Sequence, residues 1–278
     1  MKHDAWAQLQ CPLKRLTSVV SMSKRGSIKL VSSGKTSPAP AISLADLKTH
    51  CQNCSLRELC LPVGLTAEEM EQVDALIVNR TKVRKNEALY RVGQPFHALY
   101  AIRVGSLKTK MLVDDGREQV SGYHMPGEII GLDGVGTDRH VTEAIALEDS
   151  EVCVVPFANV EYLSRHLPAL QKNLYKVMSR EIAKEQSAML LLGSMRGEER
   201  LAAFLLNLAD RYRRRGYSST EFVLRMTREE IGSYLGLKLE TVSRLFSRFQ
   251  EEGLIQVEGR VVKLLDPVAL NRLFGHRF

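Results

Sequence analysis

Three of the chain's five cysteines fall within ten residues, at Cys51, Cys54 and Cys60. A fourth, Cys153, lies far downstream in an apolar segment with a strand-like pattern. Clustered thiols in a reducing compartment are typical of metal ligands or redox groups, and thiolates are the usual ligands of iron–sulfur clusters. The spacing matches neither common ferredoxin pattern. A zinc site is equally compatible, either with four cysteines or with His50 as the fourth ligand beside three.

The composition of the chain indicates the compartment, and so the redox state, of these thiols. A chain of 278 residues is long enough for two modest domains. No apolar run approaches the roughly 18 residues that a membrane span needs. The N-terminus lacks the apolar core and cleavage site of a secretory signal. We therefore expect a cytoplasmic protein without a membrane partner, in which the thiols stay reduced.

The net charge of +7 is unevenly distributed along the chain. Residues 1–43 carry seven Lys/Arg against one acid and are rich in Ser, Lys and Pro, which predicts a disordered basic tail. Cys11 lies in this tail and is expected to be no ligand. Residues 194–278 carry fifteen Lys/Arg and eleven acids, while residues 44–193 are slightly acidic. The C-terminal basic excess coincides with a DNA-binding pattern, described below.

The segment 44–166 begins with the cysteines and then becomes rich in β-forming residues. Thr66 and Glu69 have the spacing of a capping box and predict a helix over residues 66–79. From about residue 87 to 157, short apolar runs alternate with glycines, as in strands joined by turns. This pattern predicts a small β-roll or barrel.

Residues 167–193 predict one long helix that carries an apolar seam. The seam repeats at spacings of three and four, as in a coiled-coil contact, and consists of Tyr175, Met178, Ile182, Glu185, Met189 and Leu192. The alternative is a helix that only packs on its own β-domain. Glu185 interrupts the apolar pattern, and two such carboxylates facing each other would repel and leave a dimer marginal.

The segment 194–278 has the pattern of a winged helix-turn-helix. Thr227 and Glu230 form a second capping box, Gly236 supplies a turn, and a second helix is predicted over residues 239–250. Two short apolar runs on either side of residues 258–260 predict a hairpin, the wing. In this fold the second helix enters the major groove of DNA.

The second helix has two predicted faces. Its inward residues are Leu237, Val242, Leu245 and Phe249, and its outward residues are Glu240, Ser243, Arg244 and Ser247. A Glu can accept a hydrogen bond from cytosine N4, and an Arg can donate two to guanine O6 and N7. A solvated polar face without a role in recognition is the alternative.

Three motifs in this order resemble the CRP/FNR superfamily, and specifically its oxygen-sensing FNR branch. They are the cysteine group, the run Glu198-Glu199-Arg200-Leu201-Ala202-Ala203-Phe204 and the run Glu240-Thr241-Val242-Ser243-Arg244. The resemblance covers nearly everything except the tail. It implies an α+β protein with an N-terminal β-roll sensor domain like cyclic-nucleotide-binding domains, a long dimerisation helix and a C-terminal winged helix-turn-helix.

The resemblance also implies a function. The four matching cysteines would hold a [4Fe-4S] cluster, which oxygen converts to [2Fe-2S], and the intact cluster would promote a homodimer that controls transcription under low oxygen. The implied DNA target resembles TTGAT-N4-ATCAA. Glu240, Ser243 and Arg244 would read base edges, with Thr241 and Ser247 beside them. Lys238 stands where the family commonly has a capping Thr, so a cap worth about 1 kcal/mol is lost, while the lysine would instead reach a DNA phosphate.

Two further implications concern other partners. The loop 114–117 and the segment near Arg215 and Tyr217 would contact RNA polymerase. Cyclic nucleotide binding is not expected, because Leu132 stands where the ribose-binding Glu would be and residues 139–142 contain no Arg-Ser pair. The other function classes left open are a regulator with a structural zinc or another effector, and an iron–sulfur redox protein. An enzyme is not expected, because no cofactor-binding loop is recognisable.

Overall fold

The computed structural model describes residues 51, 54–75, 77, 79–112 and 118–273, all within the compact unit Lys48–Phe278. The predicted tail over residues 1–43, with Cys11, lies outside the described residues, as does His50. The described part comprises a β-rich half, a long helix and a winged helix-turn-helix. The expected α+β fold class is confirmed, whereas the domain boundaries drawn from the sequence stay predictions.

Within the described part, eight strands form two antiparallel sheets. They are β1 (Asn79–Val83), β2 (Ala88–Tyr90), β3 (Ala98–Val104), β4 (Leu107–Leu112), β5 (Glu118–His124), β6 (Ile129–Ile130), β7 (Glu143–Ala146) and β8 (Ser150–Pro156). The strand orders are β1-β8-β3-β6 and β2-β7-β4-β5. Alternate side chains point to opposite faces of a strand, so Val152 is fully buried between the sheets while Cys153 is only half-buried on the other face. The result is a β-roll.

Three helices cover the outer face of the first sheet: α1 (Ala67–Asp74), α2 (Phe157–His166) and α3 (Pro168–Ser194). Leu99 of β3, Val160 of α2 and Leu170 of α3 are buried in the core between them. Cys60 and Cys153 pack against the same core. The cysteines are therefore at the junction of the β-roll and its helices.

The first capping box forms as predicted, but its helix is shorter. The Thr66 hydroxyl accepts from the Glu69 N–H at 3.2 Å, and the Glu69 carboxylate accepts from the Thr66 N–H at 2.9 Å. The helix ends at Asp74 rather than at residue 79, because Asn79 already pairs with Val154 at the start of β1. Ile77 packs on the core instead of extending the helix.

Leu167 separates α2 from α3 and has an extended backbone, which the following Pro168 favours. On the inner face of α3, Leu170 and Asn173 are buried. The Asn173 amide donates to the carbonyls of Leu61 and Val63 at 3.1 and 2.7 Å. The chain directly after the cysteine segment (residues 51–60) is therefore hydrogen-bonded to the long helix.

The winged helix-turn-helix follows the predicted pattern. Its elements are α4 (Gly197–Arg214), β9 (Glu221–Val223), α5 (Arg228–Leu235), α6 (Leu239–Glu251), β10 (Ile255–Glu258), β11 (Val261–Leu264) and α7 (Pro267–Arg272). The capping box of Thr227 and Glu230 is present, and Gly236 ends α5 with a φ of 63°, which side chains other than glycine rarely adopt. Strands β10 and β11 form the wing, with β9 beside β11.

The winged helix is docked on the second sheet of the β-roll. Lys108 of β4 forms an ion pair with Glu230 of α5 at 2.6 Å, and the Val120 N–H of β5 donates to the Ser233 hydroxyl at 2.9 Å. Tyr123 of β5 joins the aromatic side chains of the winged helix in one core.

Among the described residues, no helix combines the length and apolar character needed to cross a bilayer.

Candidate cysteine centre and DNA interface

The structure brings all four predicted cysteines to one cavity. Cys51, Cys54 and Cys60 come from the turns before α1, and Cys153 comes from β8. Apart from Arg57 and Arg103, the lining is mostly aliphatic, with Leu61 and Ile129 among its members. Four soft sulfur donors in an apolar site suit an iron–sulfur group far better than a hard cation.

Cys51, Cys60 and Cys153 have raised pKa values and so resist ionisation without a metal. Burial, opposed by the Leu61 backbone N–H and reinforced by Cys153 and Cys54, raises the pKa of Cys60 to about 12. Burial first, and the Asp74 carboxylate second, raise the pKa of Cys51. The thiols raise one another's pKa values because they are close. A bound cation would reverse this effect, since metal binding displaces the thiol protons.

Two arginines beside Cys153 were not anticipated from the sequence. Arg80 of β1 is directly opposite Cys153 in the strand register and donates a hydrogen bond to its thiol, and Arg103 lines the same cavity. Burial raises the pKa of Cys153, while both guanidinium groups oppose that rise. Glu151 fixes Arg103 with a hydrogen bond of 2.7 Å. Only strand pairing places these charges here, so no sequence spacing could have revealed them.

The described residues contain no group of three or more His, Cys, Asp or Glu side chains arranged to hold one metal ion. The fit to a cluster therefore rests on the chemistry of the donor set, four soft thiol sulfurs in one mostly apolar cavity, and a zinc site of the same four cysteines stays the alternative.

The predicted seam of α3 is on the outside of the chain. Tyr175, Ile182 and Met189 are 59%, 58% and 73% exposed, and Met178 and Leu192 are also exposed. The opposite face of α3 packs on the β-roll, while the predicted seam stays exposed in the single chain. Burial, and secondly Glu181, raise the pKa of Glu185 within this seam. That the seam forms a dimer stays a prediction.

The predicted DNA-reading residues are exposed on α6. Lys238, Glu240, Ser243, Arg244 and Ser247 are exposed and Thr241 is half-buried. Lys238 is at the N-cap and makes no side-chain capping bond, as its residue type implies.

The opposite face of α6 packs inward through Val242, Phe246 and Phe249. The sequence prediction omitted Phe246, although its spacing of four from Val242 could have identified it. The predicted inward residues Leu237 and Leu245 are half-buried.

One residue named for the predicted RNA polymerase contact is buried within the chain, while the contact itself stays a prediction. Arg215 was expected near an RNA polymerase contact, but its side chain is 4% exposed and bonded to Glu128 at 2.6 Å. A run of basic residues at 213–215 does not reveal that one member is buried against a carboxylate from a distant turn. Tyr217 is exposed, and the loop 114–117 lies outside the described residues.

The β-roll contains an anion cradle that the chain itself fills. One carboxylate oxygen of Asp133 accepts from the Val141 N–H at 3.0 Å, the Thr142 N–H at 2.9 Å and the Thr142 hydroxyl at 2.8 Å. The other faces His140 at 3.3 Å, and the His140 ring stacks on Tyr90. These donors belong to residues 139–142, the segment without the Arg-Ser pair that a nucleotide phosphate would need.

Comparisons with known proteins match both halves of the chain. Residues 80–166 match the cyclic nucleotide-binding domain family, and residues 199–273 match the Crp-like helix-turn-helix domain family. The solved structure of FixK2 from Bradyrhizobium japonicum is similar, with a TM-score of 0.66 and 31% identity, over 70% of this chain and 96% of that one.

Named relatives span most of the chain. The transcriptional regulatory protein btr of Bordetella pertussis is 50% identical over 84% of this chain and 97% of its own length. The transcriptional activator protein anr of Pseudomonas aeruginosa is 46% identical over 82% of this chain and 93% of its own. The fumarate and nitrate reduction regulatory protein of Escherichia coli is 42% identical, over 82% and 91% respectively.

Proposed function

The chain belongs to the CRP/FNR family of DNA-binding transcriptional regulators, and we propose that it is an oxygen sensor of the FNR type. A [4Fe-4S] cluster held by Cys51, Cys54, Cys60 and Cys153 is the proposed input. The main support for this proposal is that two segments distant in sequence bring four thiols to one mostly apolar cavity. The name of the Escherichia coli relative, which refers to fumarate and nitrate reduction, supports control of anaerobic genes.

The proposed cofactor supplies a positive iron core that stabilises thiolates and is labile to oxygen. The chain's own residues would orient and retain it. The thiolates would tie the 51–60 segment to β8, with Arg80 and Arg103 balancing their negative charge. The apolar lining would exclude water from the ligands.

The same segment would transmit its state to the long helix. Asn173 of α3 donates two hydrogen bonds to the carbonyls of Leu61 and Val63, directly after the third cysteine. Rearrangement of the segment would therefore bias the position of α3 and its exposed seam. A shift of a few kcal/mol suffices to change the balance between monomer and dimer, and oxygen would reverse it.

The proposed output is binding of a TTGAT-N4-ATCAA-like palindrome by the homodimer. Glu240 and Arg244 are exposed on the first turns of α6, where a recognition helix meets base edges. Lys238 would contact a phosphate, and Ser243, Thr241 and Ser247 would complete the surface. We further propose a cytoplasmic location, where such DNA is found, and contact with RNA polymerase as the route to activation.

We propose that no cyclic nucleotide regulates the protein, although the β-roll matches the cyclic nucleotide-binding domain family. The Asp133 carboxylate already accepts hydrogen bonds from the N–H groups of Val141 and Thr142. An incoming phosphate would be repelled by this carboxylate and would meet no arginine clamp.

The decisive experiment is anaerobic purification with an absorption spectrum and iron, sulfide and zinc analysis, repeated after exposure to air. We expect near four irons and four sulfides per chain under anaerobic conditions, lost in air together with binding of a palindromic DNA. Cys153→Ser should abolish iron binding, whereas Cys11→Ser, in the predicted tail, should not. Stoichiometric zinc without sulfide would refute the oxygen-sensor proposal and favour the structural-zinc alternative.

A further inference from the structure

Glu128, at the end of a tight turn of the β-roll, holds the first helix of the winged domain. Its carboxylate accepts three hydrogen bonds from the Arg211 guanidinium, at 2.7 to 3.1 Å, and one from Arg215 at 2.6 Å. The same guanidinium groups also donate to backbone carbonyls of the β-roll, Arg211 to Tyr123 at 2.6 Å and Arg215 to Pro126 at 2.7 Å. The C-terminal end of α4 is therefore bonded to this turn through two guanidinium groups.

The electrostatics make this attachment strong. Burial alone would raise the pKa of Glu128, but Arg211, Lys184, His124 and Arg215 outweigh it and lower the pKa to about 2. The carboxylate is therefore charged at any physiological pH. Multiple charge-assisted hydrogen bonds in a largely buried site are worth far more than exposed ion pairs. Between the same two domains, Arg225 and Glu148 form a weaker pair at 3.1 Å, because Arg225 is 43% exposed whereas Arg211 and Arg215 are 15% and 4% exposed.

The residue before Glu128 contacts the cysteine segment. Gly127 has a φ of +88°, and a side chain there would approach the Cβ atom of Leu59 to 2.8 Å. Leu59 directly precedes Cys60, and Gly127 itself lines the cysteine cavity. The Gly127 N–H and the Glu128 carbonyl are both bonded to Ile102 of β3, at 2.8 and 2.9 Å, so the two residues move together. One short turn thus contacts the cysteine segment on one side and α4 on the other.

We propose that Glu128 is a positioning residue through which the cysteine segment controls the DNA-binding domain within a single subunit. When the segment rearranges, Leu59 moves against Gly127, and the carboxylate that orients Arg211 and Arg215 moves with it. This route bypasses the seam of α3 and so adds to dimerisation rather than replacing it. It rests on the proposed function only in taking the cluster as the event that rearranges the segment.

Hydrogen exchange at the amides of α4 tests the link. Wild-type protein, Glu128→Gln and the control Glu148→Gln are each measured anaerobically, with and without reconstitution by ferrous iron and sulfide. Cluster loading is expected to change exchange at the end of α4 in the wild type and in Glu148→Gln. In Glu128→Gln, exchange there should rise about tenfold or more in both states, with the loading difference lost. Iron content and the dimer fraction by sedimentation should stay at wild-type values.

The proposal is overturned if the loading difference persists in Glu128→Gln or disappears equally in Glu148→Gln. A second measurement separates its failure from failure of the oxygen-sensor proposal. In cluster-free protein, Leu59→Gly removes the Cβ atom and the rest of the side chain that face Gly127 and should change exchange at the end of α4, whereas Leu56→Gly, elsewhere in the cavity lining, should not. An unchanged α4 in Leu59→Gly would refute the link, whatever metal the cysteines hold.

Discussion

Replacing Glu185 by alanine should turn the cluster-free protein from a monomer toward a dimer. In a parallel, two-fold symmetric pair of α3 helices, seam residues face their own copies, so two Glu185 carboxylates would meet. Two such charges about 4 Å apart repel by about 1 kcal/mol in water and about 4 kcal/mol near a protein surface. That repulsion weakens the dimer Kd by roughly five-fold to several hundred-fold.

Burial of the apolar seam residues in the dimer opposes the Glu185 repulsion. Burying one Ile or Met side chain completely contributes about 1.5–3 kcal/mol, and Ile182 and Met189 are 58% and 73% exposed before association. A few such side chains per subunit can support a dimer once the repulsion is gone. We therefore expect the Glu185→Ala dimer to be at least about fivefold tighter than the wild-type dimer.

The pH dependence gives an independent check on the same charge. Burial and Glu181 already raise the pKa of Glu185 in the single chain, and a facing carboxylate would raise it further in the dimer. The dimer would then bind protons more tightly than the monomer, so dimerisation should strengthen as pH falls from about 7.5 to about 5.5. This trend should be absent in Glu185→Ala.

Sedimentation equilibrium on cluster-free protein, in reductant and chelator, measures both effects. Glu181→Ala is the matched control, because Glu181 is one turn away, outside the seam, and ion-paired with Lys184 at 3.0 Å. If Glu185→Ala stays monomeric, or if Glu181→Ala tightens the dimer equally, charge repulsion in the seam is not what limits association.

Three other substitutions give direct readouts. Arg244→Ala should relax preference at one guanine of the DNA site by about 1–3 kcal/mol, measured by binding to single-base variants; equal loss on all sequences would mark a phosphate contact instead. Lys238→Thr should restore a side-chain cap to α6 and stabilise the fold by about 1 kcal/mol in urea unfolding, while unchanged stability would show that the cap is unimportant here. Arg103→Gln should speed the loss of cluster absorbance in air, and an unchanged rate would show that its charge does not stabilise the centre.

Local rules explain what the sequence predicted correctly. Both capping boxes, at Thr66 and Thr227, and the turn at Gly236 depend on residues a few positions apart, and all three form as expected. The exposure of Glu240 and Arg244 on α6 follows from helical periodicity in the same way. The four cysteines were grouped from residue type and family resemblance, since nothing local connects residues 51–60 to Cys153.

Tertiary structure accounts for what the sequence could not supply. Helix α1 ends early because Asn79 pairs with a strand more than seventy positions away. Arg215 has an ordinary surface sequence context, yet Glu128 buries it. Arg80 and Arg103 become part of the cysteine centre only through the register of β1, β8 and β3. In each case the decisive partner is distant in sequence, and no local spacing encodes it.

The Asp133 cradle has a consequence for signalling inside a crowded cell. A β-roll that waits for an effector is sensitive to every metabolite that resembles it, because an empty cradle of N–H donors attracts any phosphate ester. Here Val141 and Thr142 already bind a carboxylate that cannot diffuse away, and its effective concentration does not vary with the metabolic state. Under the proposed function, a permanent internal ligand of this kind would insulate the regulator from fluctuating nucleotide pools. The cysteine segment would then report on a single variable.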